Sequence, residues 1–161
     1  MQRTLVFVPV ATEQARSLWR GAQLREVQAF TVTDELLAGL DGVQDAEDAE
    51  HACAQLASLW GLANHGERLV LVAEVAADQL RREQNPEAHN GGVGLSELSV
   101  SQVSSFFAEE RGIEGLQALS SQVAGMAVDA CWELDQVQHL LRRHDLLWHS
   151  VEELAVLGET V

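Results

Sequence analysis

Lysine and tyrosine are absent from this 161-residue chain, and isoleucine occurs once, at Ile113. Ten arginines face 25 aspartates and glutamates, which gives a formal net charge of −15. A chain this acidic repels phosphate backbones and anionic lipid, so we expect no nucleic-acid partner and no membrane partner. Two explanations of the acidity stay open, namely attraction to a basic partner and plain solubility.

Long apolar runs are also absent. No stretch approaches the ~20 residues of a membrane span, and the apolar run after Arg3 is too short for a secretory signal. We therefore expect a soluble, cytoplasmic protein. The two cysteines, Cys53 and Cys131, lie among apolar helical positions and are expected as buried thiols, although their spacing also allows a disulfide. Neither a G-x-G-x-x-G motif nor a P-loop occurs, and we expect no cofactor.

What the chain does contain is three apolar segments, each running into a helical pattern. They are "TLVFV" at 4–8, "RLVLVAEV" at 68–75 and "DLLWH" at 145–149. Their apolar residues do not alternate with polar ones, which is typical of strands buried on both faces. We predict that all three belong to one sheet.

Further segments complete a pattern in which strands and helices occur throughout the chain. Additional strands are predicted at 29–33, 93–98 and 103–110, and helices are predicted to start near Thr12, at Thr33, over 46–63, over 76–82 and over 113–143 with a break near Gly125. The prediction is one domain, residues 1–161, of the α+β class, with a mixed β-sheet covered by helices. The repeated "LVxV" strand also suggests an internal duplication of a β-α-β-α unit, with half-repeats 1–66 and 67–161.

The segment "RHDLLWHSVEEL", 143–154, contains the residue types of a Ser/His/Asp triad. Asp145 and His149 are four residues apart on a predicted strand, hence about 13 Å apart at ~3.3 Å per residue, too far for a hydrogen bond. Ser150 and Glu153 have the spacing of a capping box, in which the serine hydroxyl accepts from the helix backbone. We interpret Ser150 as an N-cap and expect no triad.

The most acidic stretch is "DAEDAEH", 45–51. On a helix, Glu47 and Asp48 share a face with His51, and carboxylate with imidazole at this spacing can bind a transition metal. A third ligand is not identifiable. Negative charge in a first helical turn also interacts favourably with the helix dipole. We expect no intrinsic metal, with Glu47, Asp48 and His51 as the candidates if one binds.

Basic and aromatic residues supply the other candidate sites. Near the end of a predicted helix, Arg142, Arg143 and His144 could hold a phosphate or a carboxylate, or they could simply face the helix dipole. His89 lies in the glycine-rich stretch 84–94, where we expect a flexible loop and a solvent-exposed histidine. The four tryptophans fit apolar helix or strand faces, so we expect them in the core. If one is partly exposed it could anchor a partner, and Trp148 with His149 is the candidate interface.

Five segments in order, "LVFVPVATEQARSL", "AFTVTDEL", "DAEDAEHA", "LVLVAEV" and "HDLLWHSVEEL", resemble an actinobacterial family built on a domain of unknown function. The absence of lysine and the near absence of isoleucine are typical of a GC-rich genome and agree with that resemblance. The resemblance implies an intracellular single-domain protein without an assigned activity, so it supplies no catalytic residues. This chain has His149 where the family tends to have an aromatic residue.

Two hypotheses for function remain. We favour a non-catalytic interaction or regulatory domain, with a protein partner or a second copy in a homodimer. The alternative is a small enzyme with a His/carboxylate acid–base pocket between the two halves. An enzyme should present a concave pocket containing at least one of five histidines: His51, His89, His139, His144 and His149. An interaction domain should present an apolar patch that buries more than about 1,000 Å².

Overall fold

Residues 2–42 and 45–157 are described by a computed structural model, and they form one seven-stranded sheet with helices on both faces. The strands are β1 Arg3–Pro9, β2 Leu24–Phe30, β3 Leu69–Ala76, β4 Leu80–Arg81, β5 Gly92–Leu98, β6 Val103–Ala108 and β7 Leu147–Ser150. Their order across the sheet is β4-β5-β2-β1-β3-β6-β7. The predicted α+β class is confirmed.

The sheet is antiparallel at every described pairing, whereas we expected a mixed one. We expected parallel strands because strands and helices alternate in the sequence, but in this fold the helices do not connect parallel neighbours. The connections from β3 through β6 contain only short turns of 3₁₀-helix, and short connections can join antiparallel strands but not parallel ones.

Six α-helices accompany the sheet: α1 Thr12–Trp19, α2 Asp34–Gly39, α3 Ala46–His65, α4 Leu116–Val123, α5 Val128–Trp132 and α6 Asp135–Arg143. Shorter 3₁₀ turns occur at Ala77–Gln79, Ala88–Asn90, Val100–Gln102 and Val151–Val156. The break near Gly125 is confirmed, and that residue has a φ of 77°. No helix in the described ranges is both long and apolar enough to cross a membrane.

The cores on the two faces of the sheet explain the apolar runs. On β1, Phe7 packs into a core with α3, while its neighbours Val6 and Val8 pack into a second core with α1. β3 alternates in the same way between Val70 and Leu71. Both strands are therefore buried on two faces, as predicted. β7 joins the same sheet but lies at its edge, and its apolar residues are exposed.

Three predictions about local structure are wrong. The strand expected at 29–33 is β2, which runs over Leu24–Phe30 instead. Its first residues were not recognised as a strand because Arg25 and Glu26 are polar and exposed. The helix expected at 76–82 is one 3₁₀ turn followed by β4, because Leu80 is buried in strand pairing with Leu95. Of the tryptophans expected in the core, Trp19, Trp132 and Trp148 are exposed.

The long helix α3 begins and ends where its sequence predicts. Asp45 is the N-cap, and its Oδ1 accepts a hydrogen bond from the Asp48 backbone N–H at 2.9 Å. Gly66 ends the helix in the left-handed conformation, with a φ of 77°. Between these two ends, one side of α3 packs on the sheet and the first half of the helix borders a cleft.

Candidate functional site

A cleft of about 610 Å³ opens on the α3 face of the sheet. Its floor is formed by β1, β3 and β6, one wall by the first half of α3, and the other wall by the end of α6 and the segment leading to β7. The lining residues are Leu5, Phe7, Glu47, Asp48, Glu50, His51, Ala54, Gln55, Arg68, Val72, Ser105, Phe107, Leu141, His144, Asp145 and Leu146. Both predicted half-repeats contribute, and the duplication itself stays a prediction.

The floor of the cleft is apolar with a single hydroxyl. Strand register places Phe7, Val72 and Ser105 side by side in one row across β1, β3 and β6. Ser105 is only 7% exposed, and its hydroxyl makes no hydrogen bond within the described part of the chain. Since no fully buried polar side-chain atom of the described residues lacks a partner, this hydroxyl is open to the cleft and available to a bound molecule.

The α3 wall is acidic. Glu47, Asp48 and Glu50 line it, and Asp145 lines the opposite wall. The three residues predicted as metal candidates, Glu47, Asp48 and His51, thus lie together at the cleft. Within residues 2–42 and 45–157, however, no three His, Cys, Asp or Glu side chains are placed to hold a metal ion.

One end of the cleft contains a buried ion pair that the sequence did not reveal. Arg68 is 2% exposed, and its guanidinium donates to both carboxylate oxygens of Glu109, at 2.5 and 3.2 Å. Its Nη2 also donates to the His144 carbonyl at 3.0 Å. Because Arg68 stands at the start of the predicted strand 68–75, we interpreted it only as a strand residue.

His144 completes this group. Its Nδ1 is hydrogen-bonded to the Glu110 carboxylate, and its side chain is about one third exposed beside the cleft. We call Arg68, Glu109, Glu110 and His144 the cleft cluster. It ties the α6–β7 segment, which forms one wall, to the ends of β3 and β6.

The other residues of the predicted anion site lie apart. Arg142 and His139 line a depression between α4 and α6, and Arg143 lines another beside residues 110–114. His144 borders both of these and the cleft. Arg142 and Arg143 therefore lie in different depressions around the end of α6 and do not form one anion site.

Residues 143–154 do not assemble a Ser/His/Asp group. His149 stacks on Phe106 at a centroid distance of 4.9 Å, on the sheet face away from the cleft, whereas Asp145 lines the cleft. Ser150 is the N-cap of Val151–Val156, as predicted, but only half of the capping box forms. Glu153 accepts from the Ser150 backbone N–H at 2.9 Å, and the Ser150 hydroxyl makes no cap bond.

A second polar group joins the 84–92 loop to α5. Asn90 donates from Nδ2 to Glu87 at 3.0 Å and to Asp129 at 2.9 Å, and His89 Nε2 lies 2.6 Å from the second Asp129 oxygen. Glu87 also accepts from the Val128 backbone N–H at 3.1 Å. The hydrogen bond from Asn90, with a smaller contribution from His89, holds the pKa of Asp129 below its ordinary value. We call Glu87, His89, Asn90 and Asp129 the loop cluster.

This loop is packed, in contrast to the flexible loop that we expected. A Cβ at Gly91, whose φ is 83°, would lie 2.3 Å from the Thr31 carbonyl oxygen, and one at Gly92 would lie 2.6 Å from Glu87. The glycines allow close approach of the backbone rather than freedom around a ligand. His89 is half-exposed but bonded to Asp129, and the loop cluster borders none of the three depressions described above.

The two cysteines are buried and free, and neither forms a disulfide. Burial, with a smaller contribution from Glu50, raises the pKa of the Cys53 thiol to about 12. Burial also raises the pKa of Cys131. Because the thiolate is the reactive form, the raised pKa disfavours both cysteines as nucleophiles near neutral pH.

Residues 4–157 match a family of unknown function, DUF6912, and the chain belongs to that family. The predicted resemblance to a family without assigned activity is confirmed, while an actinobacterial origin stays a prediction. No curated protein and no solved structure matches the chain. Evidence about function therefore comes from the cleft itself.

Proposed function

We propose that this protein is a non-catalytic binding domain whose cleft holds a small organic cation with an apolar body. The observation that supports this proposal is the pairing of an apolar floor with an acidic rim. Three carboxylates that form no ion pair in the described part of the chain, Glu47, Glu50 and Asp145, line the cleft. The positive charge of Arg68 is already matched by Glu109, so these three carboxylates leave a negative charge at the cleft.

The size and chemistry of the cleft suit such a ligand. Its volume lies within the ~300–1,000 Å³ range of small-molecule sites, which combine an apolar lining with a few polar groups. An apolar body would cover Phe7, Val72 and Phe107, and an ammonium or guanidinium group would lie against the carboxylates. The Ser105 hydroxyl would accept or donate one hydrogen bond in the floor.

The residues at the cleft support binding more than reaction. Neither Cys53 nor Cys131 lines the cleft. Ser105 makes no hydrogen bond to a histidine or carboxylate within the described residues, so no base activates it. The two buried free thiols also agree with the predicted cytoplasmic location, where thiols stay reduced.

A charge-matched pair of probes tests the proposal. Tryptamine and indole-3-propionate share a ring and chain but carry opposite charges. In ¹⁵N-HSQC titrations we expect saturable shifts with tryptamine at cleft residues such as Ala54 and Val72, and none with the anion. Replacing Glu47 and Glu50 by Gln should weaken tryptamine binding at least several-fold.

Glu13→Gln is the matched control, because Glu13 is an exposed glutamate on α1, across the sheet from the cleft. It should leave the titration unchanged. Equal shifts with both probes, or shifts outside the cleft, would contradict the proposal.

A second candidate is a small enzyme that uses the same cleft. The observation in its favour is His144, whose Nδ1 is held by Glu110, which leaves Nε2 as the nitrogen for proton transfer. The two candidates separate in one experiment. Conversion of a cleft ligand that stops in His144→Gln, while binding persists, would replace the binding proposal by the enzyme.

A further inference from the structure

The guanidinium of Arg68 has one nitrogen that no protein group occupies. Nε and Nη2 donate to Glu109, and Nη2 also donates to the His144 carbonyl. Nη1 makes no hydrogen bond within the described part of the chain, although the side chain is only 2% exposed. Since no fully buried polar side-chain atom of the described residues lacks a partner, Nη1 is open, and of the three depressions described above Arg68 lines only the cleft. A ligand in the cleft can therefore accept from Nη1.

This donor suits a neutral acceptor better than an anion. A guanidinium stays protonated in proteins and has no acceptor atom, so Nη1 can only donate. The charge of Arg68 is matched by Glu109, and the carboxylates of Glu47, Glu50 and Asp145 leave the cleft negative. A second anion would be repelled by these carboxylates, whereas a carbonyl oxygen accepts without adding charge.

A carboxylate is held next to this donor. Arg68 Nη2 bonds the His144 carbonyl at 3.0 Å, and Asp145 is the following residue and lines the cleft. The carboxylates of Glu47 and Glu50 line the opposite, α3 wall. A site for an ammonium group and a site for a carbonyl oxygen are thus neighbours at one end of the cleft. The two groups are that close in a molecule that has both on one carbon atom.

The apolar floor extends away from this end. Val72 pairs with Ser105, and Arg68 lies four residues before Val72 on the same face, hence about 13 Å away at ~3.3 Å per residue. Phe107, paired with Val70, lies between the two ends of the floor. A carbonyl bound by Arg68 is therefore out of reach of Ser105, and an apolar side chain attached to the same carbon would cover Phe107.

We propose that the cleft binds an α-amino amide, with Arg68 Nη1 donating to the carbonyl oxygen and Asp145 lying against the ammonium group. This inference rests on the proposed binding of an organic cation, and it adds the acceptor group and the residue that recognises it. The same α-amino amide group occurs in free amino-acid amides and at the N-termini of peptides.

Three ligands that share the indole ring test the chemistry. Isothermal titration calorimetry is done at pH 6, below the ~7.7–8.0 pKa of an α-amino group, so that all three amines are charged. L-Tryptophanamide should bind at least about fivefold tighter than tryptamine, because its carbonyl gains a hydrogen bond from a charged donor. L-Tryptophan should bind more weakly than the amide, because its carboxylate adds negative charge.

The outcomes separate this inference from the proposed function. If tryptamine binds and the amide binds no tighter, or if tryptophan binds tighter than the amide, the α-amino amide is wrong and the organic-cation site stands. If tryptamine does not bind, both are wrong. The tripeptide amide tryptophanyl-glycyl-glycinamide distinguishes the two sources. Affinity equal to that of tryptophanamide would indicate peptide N-termini, and much weaker binding would indicate free amides.

Arg68→Lys tests which residue is the donor. Lysine keeps a positive charge for Glu109 but has a single nitrogen, which leaves none for the cleft. The ratio of the tryptophanamide affinity to the tryptamine affinity should fall to near one. Arg142→Lys, at an arginine that lines a different depression, is the matched control and should keep the wild-type ratio. Urea denaturation checks that both variants are folded, and the ligand series on the wild type remains the test if Arg68→Lys is not. An unchanged ratio in folded Arg68→Lys would overturn the role of Nη1.

Discussion

The cleft cluster and the loop cluster use the same pair of side chains in different surroundings. In each, one histidine nitrogen is bonded to a carboxylate, Glu110 for His144 and Asp129 for His89. The cleft cluster is built around a buried arginine and borders a cavity. The loop cluster is built around an amide, Asn90, and borders none of the three depressions.

The difference shows why a histidine–carboxylate pair alone does not identify a site. Asn90 is a neutral donor, and its two hydrogen bonds hold two carboxylates close to a packed loop. Arg68 instead neutralises Glu109 and orients a segment that walls a cleft. The loop cluster holds the fold together, whereas the cleft cluster also shapes a space that a ligand can enter.

Among the substitutions that test this comparison, Arg68→Met should have the largest effect on the free energy of unfolding. It leaves the Glu109 carboxylate partly buried without a counter-ion, so we expect a loss of about 3–5 kcal/mol in the free energy of unfolding. Urea denaturation measures it. Adding Glu109→Gln should recover part of the loss, because the unpaired charge is then removed. Additive losses in the double variant would show that the pair is not coupled.

Glu87→Gln makes the corresponding change in the loop cluster. Glu87 is buried and accepts from Asn90 and from the Val128 backbone N–H. An amide there places a donor against a donor, and we expect a loss of about 1–3 kcal/mol in the free energy of unfolding. The affinity for a cleft ligand should not change. If tryptamine binding weakened as well, the two clusters would not be independent.

Much of the fold could be predicted from local pattern. The apolar runs identified β1, β3 and β7, and an apolar stripe identified α3. The first part of β2, residues 24–28, escaped prediction because its polar residues do not alternate regularly, and the positive φ of Glu26, 49°, interrupts it. Whether an apolar strand is central or at an edge depends on the order of strands in the sheet, which periodicity does not contain. That is why β7 was expected to be buried.

The candidate site was predictable only in pieces. Glu47, Asp48 and His51 were recognised because they are neighbours on one helix, and His144 because it follows two arginines. That these residues meet at one cleft depends on the tertiary fold, and no spacing in the sequence indicates it. Arg68 and Glu109 are 41 residues apart in the chain, so no motif joins them.

Replacing each histidine by glutamine sharpens the comparison further. His144→Gln and His89→Gln should each cost less than about 1 kcal/mol in the free energy of unfolding, because both pairs are partly exposed. Only His144→Gln should shift the HSQC signals of the cleft lining and change the tryptamine titration. If the two variants changed the tryptamine titration equally, the claim that only the cleft cluster shapes the ligand site would be wrong.

Asp129→Asn gives the smallest effect, and its pH dependence has a definite sign. The pKa of Asp129 in the folded protein is lowered from 3.8, mainly by the hydrogen bond from Asn90. A lowered folded pKa contributes stability above the unfolded value, and this contribution is lost as the pH falls through the folded pKa. Since Asp129 is 64% exposed, solvent screening limits the contribution to less than about 1 kcal/mol.

Urea denaturation of the wild type and Asp129→Asn from pH 7 to pH 2.5 measures this contribution. The wild type should be the more stable protein above about pH 4, and the two curves should converge below it, because protonated Asp129 and asparagine carry the same charge. Asp41→Asn, at an exposed carboxylate outside any helix, is the matched control and should show no such convergence. A difference that grew as the pH fell would mean that the loop cluster stabilises protonated Asp129, and that Asn90 does not have the role assigned to it.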